Sequence, residues 1–352
     1  MSQLKKKEWT IYENKGLTGL ANCGNTCYLN TCIQVLSHTY EISDILNDSS
    51  YKSKLNKKPE SALLFEWDKL RELMWSENCT VAPHRFILAV RKVASLKNRD
   101  IFTGYAQNDV NEFFIFLMEC FHNALAREVK MTIRGNVIND TDILATKCYE
   151  MVKNMYTKEY SEIIPVFYGI HVSVLSGINT KDKLSITPEP FAGLDLSIPE
   201  NNNTTITLYN CLDNYIAPER LDGYKVENPN INEKEEVEKK IIFWSFPNIL
   251  MISLKRFNNN GKKKHIIVDA PTKLDLTKYV EGYNKESYIY DLYGICTHSG
   301  LGISGGHYWA QIKNVNGKWY KFNDTQVTEI QNNTPSMQGA YCLFYRKYPK
   351  IC

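Results

Sequence analysis

Near Pro165 the hydrophobic pattern of this chain changes period, and that change limits the folds open to it. Before it, apolar residues recur at helical spacing. Ser61–Trp75 aligns Leu63, Leu64, Trp67, Leu70 and Met74 on one stripe. Asp109–Leu125 does the same with Val110, Phe113, Phe114, Leu117 and Phe121. Pro83 suits the first position of another helix bearing Phe86, Ile87 and Val90, because that position needs no backbone N–H. Beyond Pro165 the pattern alternates, as where Tyr308, Ala310 and Ile312 interleave with Trp309, Gln311 and Lys313. Strands are expected at Gly169–Leu175, Phe191–Ile198, Ile241–Phe246, Ile249–Lys255 and through most of Ser287–Tyr348, with a helix at Leu208–Tyr215. The polar stretches Asn201–Thr205, Glu227–Lys240 and Asn258–Lys264 read as loops or excursions from the sheet. Helices first and strands later predict an α+β protein whose halves meet along a seam.

Composition removes several functional classes. The 42 basic and 39 acidic residues leave a net charge of +3, too weak by itself to suggest a nucleic-acid-binding surface. Lys5–Lys7 and Lys262–Lys264 are short enough to be solvated ends or loop tips. Ile241–Leu254, the most apolar stretch, is broken by Ser245, Pro247 and Asn248 and falls short of the roughly 20 residues of a membrane span. Met1–Thr10 carries lysines without an apolar run after them, so no secretory signal is expected. The ten cysteines therefore read as reduced thiols of a cytoplasmic or nuclear protein.

The segment Gly19–Gln34 carries the first chemistry. Gly24 and Asn25 form turns, and Asn25 or Thr26 can cap a helix presenting Leu29, Ile33 and Leu36. Cys27 then stands in the first turn, where free N–H groups and the helix dipole favour the thiolate. Asn22 lies five residues earlier and can aim an amide at an oxyanion formed on attack at a carbonyl. Cys23 and Cys32 read as packing residues. A thiolate enzyme also needs a base, which histidine supplies near neutral pH. His307 follows Ser304-Gly305-Gly306, and Asn323 lies 16 residues further on, within reach across an antiparallel hairpin. Strand alternation lets either Asn323 or Asp324 face the imidazole.

Gly19-Leu20-Ala21-Asn22-Cys23-Gly24-Asn25-Thr26-Cys27-Tyr28-Leu29-Asn30 resembles the cysteine box of the ubiquitin-specific proteases, a family of deubiquitinases. Gln107-Asn108-Asp109-Val110-Asn111-Glu112-Phe113 resembles the family's Gln-Gln-Asp box, with Asn108 in place of the second Gln. Ile186–Phe191, Leu194–Pro199 and Pro247–Phe257 match its middle strands. Gly306-His307-Tyr308 and Trp319–Asp324 match the histidine box. Motifs in the family's order thus run from about Gly16 to Tyr345.

The resemblance implies one catalytic domain over residues 1–352. Its papain-like fold would have a helical thumb over about 1–160, then a β-sheet palm with β-stranded fingers near 165–245. It implies Cys27 as nucleophile, His307 as base and Asn323 as the third triad member. Asn22 would stand at the oxyanion, with Asp324 behind. Asp109 and Glu112 also have the spacing of a helix capping box. By resemblance they pair with arginines in ubiquitin's C-terminal tail. Gln107 would line the cleft, and His298 and Tyr308 would meet the tail, unless His298 instead closes its loop by a hydrogen bond. Many members hold a zinc at the fingertips on two Cys-x-x-Cys pairs. Here the corresponding stretches are His171–Val174 and Tyr224–Asn228, and the chain has no Cys-x-x-Cys, so no metal and shorter fingers are expected. The implied reaction is hydrolysis after ubiquitin's terminal glycine by a monomer without cofactor. Two alternatives share the fold: a weakly catalytic ubiquitin-binding module, whose mark would be loss of Cys27 or His307, and a protease for another ubiquitin-like modifier.

Overall fold

The computed structural model describes residues 9–48, 50–200, 206–231, 233–258, 261–302 and 305–348. Lys5–Lys7, Asn201–Thr205, Ser304 and part of Asn258–Lys264 lie outside those residues. Helices come first: α1 (Cys27–Ser37), α2 (Tyr40–Asn47), α3 (Pro59–Ser76), α4 (His84–Leu96), α5 (Val110–Leu125), α6 (Asp140–Tyr156) and the short α7 (Ile163–Phe167). Among them run two short strands, β1 (Gly19–Leu20) and β2 (Thr80–Val81), paired in parallel. Pro83 is one residue outside α4 and takes no helical N–H role; its carbonyl accepts from Ile87 at 2.9 Å.

The strands follow as β3 (Gly169–Gly177), β4 (Lys183–Phe191), β5 (Leu194–Ser197), β6 (Ile206–Thr207), β7 (Glu219–Asn228), β8 (Glu233–Ser245) and β9 (Ile249–Lys255). Helix α8 (Leu208–Ile216) lies between β6 and β7. The rest are β10 (Val268–Asp269), β11 (Lys273–Asp275), β12 (Ile289–Gly302), β13 (Gly305–Lys313), β14 (Trp319–Asn323), β15 (Gln326–Glu329) and β16 (Ala340–Lys347). One sheet has the order β15-β14-β13-β12-β16-β9-β5, with β11 on β12. A second has the order β4-β3-β8-β7.

Two sequence expectations fail in the second sheet. Glu227–Lys240 is no loop: it ends β7 and supplies most of β8. Its strands escape an apolar pattern because charged residues face one another across the ladder, with Glu219 opposite Lys239, Lys225 opposite Glu236 and Glu227 opposite Lys234, and Arg220 pairs with Glu236. Phe191–Ile198 is not one strand either. The chain leaves the second sheet at Phe191 and enters the first at Leu194, turning through Gly193, where a Cβ would come within 2.5 Å of the Met251 methyl.

Every residue of α1 is buried. It runs through the core formed by the other helices and one face of the large sheet, including Met251, Tyr308, Ala310 and Phe344. The opposite face carries Leu250, Ile252, Leu292, Leu343 and Tyr345 and is covered by α8. Helix α6 lies on the second sheet against Val172, Val174 and Trp244. The start of α1 is consequently set against β13, at the seam between helices and sheet.

Candidate active site

Gly24 and Asn25 have left-handed φ values of 94° and 53°, and this turn delivers the chain into α1 with Cys27 as its first residue. Neither expected cap is made. Asn25 donates to the Tyr105 carbonyl at 2.9 Å, and the Thr26 hydroxyl accepts from the Cys23 amide at 2.9 Å. The opening N–H groups of the helix, with the backbone of Tyr308, thereby remain near the thiol and pull its pKa down. Cys27 is only 2% exposed, and burial pushes its thiol above the ordinary value more strongly than these donors lower it. Asp324 pushes the same way. The helix start favours the anion, as the sequence suggests, but burial outweighs it.

His307 sits on β13, and its Nε2 donates to Asn323 Oδ1 at 2.6 Å. With Nε2 carrying the proton, Nδ1 is the basic nitrogen. Asn323 ends β14, and the next residue, Asp324, turns into the left-handed region at φ 50°. Alternation along a strand therefore does not govern Asp324. Its Oδ2 accepts from Asn22 Nδ2 at 3.0 Å and its Oδ1 from Asn30 Nδ2 at 2.8 Å. Asn22 Oδ1 in turn accepts from the amides of Gly24 at 3.2 Å and Thr26 at 3.1 Å. The Asn22 amide is thus fixed at both ends beside the cysteine turn. Asn30 went unnoticed in the sequence, where its i+3 spacing from Cys27 gave the only clue.

Gln107 does more than border the cleft. Its Nε2 donates to the Gly306 carbonyl at 2.8 Å and its Oε1 accepts the Gly306 amide at 3.0 Å. The residue before His307 is therefore held from the helical side. Asp109 caps α5, accepting from Asn111 at 2.7 Å and Glu112 at 3.2 Å, and its second oxygen accepts from the Tyr341 hydroxyl. The reciprocal half of a capping box is missing. Glu112 is exposed, its carboxylate makes no hydrogen bond or ion pair among the described residues, and its carboxyl is raised by burial and by Asp109. His298 is 5% exposed; Lys263 Nζ donates to its Nδ1 at 3.0 Å and to its carbonyl at 2.6 Å. Burial, then Lys263, lowers the His298 imidazole to about 4, so it is neutral. Tyr308 is also buried, its ring 4.6 Å from that of His298. Among the described residues, no group of three or more His, Cys, Asp or Glu is placed to hold a metal ion.

A cysteine heading a buried helix, set against a histidine–asparagine pair on adjacent antiparallel strands, is the layout of papain-like thiol hydrolases. The family model for ubiquitin carboxyl-terminal hydrolase matches residues 18–345, and the chain belongs to that family. It is 34% identical over 346 residues to ubiquitin carboxyl-terminal hydrolase Usp2 of Drosophila melanogaster, covering 95% of this chain and 35% of that protein. It is 33% identical to ubiquitin carboxyl-terminal hydrolase 2 of Gallus gallus, covering 94% of this chain and 93% of that one. For the Homo sapiens protein of that name the identity is 32%, over 94% of this chain and 55% of the relative. The fold is similar to the Ubp8 chain in the SAGA Ubp8/Sgf11/Sus1/Sgf73 DUB module bound to ubiquitin aldehyde. There the TM-score is 0.73 at 24% identity, over 96% of this chain and 71% of that one. No helix among the described residues is long and apolar enough to cross a membrane.

Proposed function

We propose that the chain is a thiol-dependent deubiquitinase domain, formed by the helical thumb, the sheet palm and the finger sheet together. It would cut the bond after ubiquitin's C-terminal glycine. The observation that carries this reading is the 2.6 Å His307–Asn323 bond, on the strand set against the buried helix that Cys27 opens. In the first step the Cys27 proton passes to His307 Nδ1 as sulfur bonds the glycine carbonyl carbon. The carbonyl π pair moves onto oxygen, where Asn22 Nδ2 and the N–H groups at the start of α1 stabilise it. Collapse expels the lysine amine, which takes the proton from His307 and leaves a thioester on Cys27. Water then attacks the thioester, giving its proton to His307, and the thiol is restored. No redox partner or metal enters the balance.

Asn323 keeps the imidazole in one tautomer, and Asp324 keeps Asn22 in place. Glu112, open and without a partner among the described residues, suits an arginine of the incoming tail. Asp109 contributes through the helix cap and Tyr341, and Tyr308 and His298 form the wall behind. We take ubiquitin and its conjugates as the partners, a monomer as the working form, and a reducing cytoplasmic or nuclear setting. The test is ubiquitin bearing a C-terminal electrophile, followed by mass mapping. Labelling is expected at Cys27 and lost in Cys27→Ala; labelling at Cys23 or Cys32 would overturn the mechanism.

A further inference from the structure

The two hairpins of the finger sheet end side by side, β3–β4 at residues 177–183 and β7–β8 at residues 228–233. Between these ends lies a buried carboxylate that the reaction does not use. Glu235 Oε1 accepts the amides of Asn179 at 2.7 Å and Thr180 at 2.9 Å. Its Oε2 accepts the Thr180 hydroxyl at 2.8 Å and Asn228 Nδ2 at 3.0 Å. Asn228, with 0% exposure, also donates to Thr180 Oγ1 at 3.1 Å and Asp182 Oδ2 at 3.0 Å. Gly177 makes the room, since a Cβ there would collide with the Glu235 carboxylate.

We propose that Glu235, Asn228 and Thr180 form a metal-free clasp that joins the two fingertips and positions the finger sheet to grip the folded body of ubiquitin. The second half of this statement rests on the deubiquitinase reading; the clasp itself does not. Four donors converge on one carboxylate from two hairpins far apart in sequence, and such charge-assisted bonds are the strong ones. Their geometry crosslinks the tips as a metal with ligands from both would. The path to the palm is direct. β4 runs into β5 and β8 into β9 with only short breaks, so the strands that end at the clasp also enter the sheet carrying the site. The fingers are polar and lean on α6 through a small apolar patch, which gives their tips no core of their own. The Asn228 amide and then the Thr180 N–H hold the Glu235 carboxyl down to about 2. This depressed group contributes fully above the ordinary carboxylate value, and its contribution is lost only as pH falls towards about 2, so the clasp survives mild acid.

Hydrogen exchange and kinetics on the whole chain test both halves. In Glu235→Ala the Asn179 and Thr180 amides should exchange at least about tenfold faster while the palm strands keep their protection. Glu235→Gln keeps an acceptor for those amides but sets an NH2 against the Asn228 NH2, and should fall between. Chelation of metals should leave tip exchange unaltered in the wild type. Unchanged exchange in Glu235→Ala, or tip opening on chelation, would overturn the clasp whatever the activity. With a ubiquitin-fused fluorogenic substrate, KM should rise by about tenfold with kcat held. A short peptide carrying only the tail should be cut as before. Equal losses on both substrates, or none on either, would overturn the role in grip. Wild-type inactivity on both would instead overturn the deubiquitinase reading, with exchange still deciding the clasp.

Discussion

Cys27 combines two opposing influences that its sequence position alone does not rank. The N–H groups at the helix start favour the anion, while burial and Asp324 favour the thiol, and the latter win. Burial thus sets the thiol of Cys27 above the ordinary value before any substrate is engaged. Alkylation of Cys27 by iodoacetamide should accelerate with rising pH, with a midpoint above that of an ordinary thiol. A rate already at its plateau near neutral pH would show a resting thiolate instead. The orienting pair makes a second prediction. His307→Ala should cost about a thousandfold or more in kcat, the scale of a lost general base. Asn323→Ala should cost less, about tenfold to a hundredfold, because the base survives with its tautomer unfixed, and Asn323→Asp should keep most activity. If Asn323→Ala were fully active and Asp324→Ala as damaged as His307→Ala, their roles would have to be exchanged. Cys27 and His307 were legible because a box of neighbouring residues surrounds each. The Asn30–Asp324 bond was not, since 294 positions separate its partners.

At the scale of elements, helix α5 divides labour between two acids that the sequence treated alike. Asp109 is committed to two backbone amides and Tyr341, whereas Glu112 faces solvent. Glu112→Lys should raise KM for a ubiquitin substrate severalfold with an unchanged melting temperature. Asp109→Ala should lower stability by about 1 kcal/mol through the lost cap, measurable by urea unfolding. Equal kinetic effects without any stability loss at Asp109 would return both acids to tail binding. The start of α5 was readable from its Asp and its apolar stripe, since capping and amphipathicity are local. Strands β7 and the first half of β8 were not. Leu221, Tyr224, Val226 and Val237 are too sparse among their charged residues to mark an alternation, and the facing of Glu219 with Lys239 and of Glu227 with Lys234 reveals the register. Gln107 lies between these cases. Its neighbourhood to α5 was evident, but its two bonds to Gly306 span 199 positions.

Across the whole molecule, the seam between helices and sheet decides whether Cys27 and His307 meet, and an ion pair buried among rings crosses it. Arg346, on β16, donates to Glu41 at 2.9 Å and to the His38 carbonyl at 2.8 Å, both on the helical side. Its guanidinium also lies 4.3 Å from the centre of the Tyr293 ring and 4.8 Å from those of Trp9 and Tyr40. The division into helical and stranded halves was legible in the change of hydrophobic period; this rivet was not, because 305 positions separate its charges. The pair is largely sheltered, with side-chain exposures of 13% and 17%. Removing one partner therefore strands the other charge away from water, and such a loss costs about 3–5 kcal/mol. Arg346→Met should lower the free energy of unfolding on that scale in urea, while the activity of the remaining folded fraction stays near normal. Arg346→Lys should recover only part of it, since an ammonium cannot reproduce the planar fork between Glu41 and the rings. Adding Glu41→Gln to Arg346→Met should restore stability relative to the single variant, because the orphaned charge is then gone. A double variant no more stable than Arg346→Met would locate the loss in the ring contacts rather than in the stranded carboxylate.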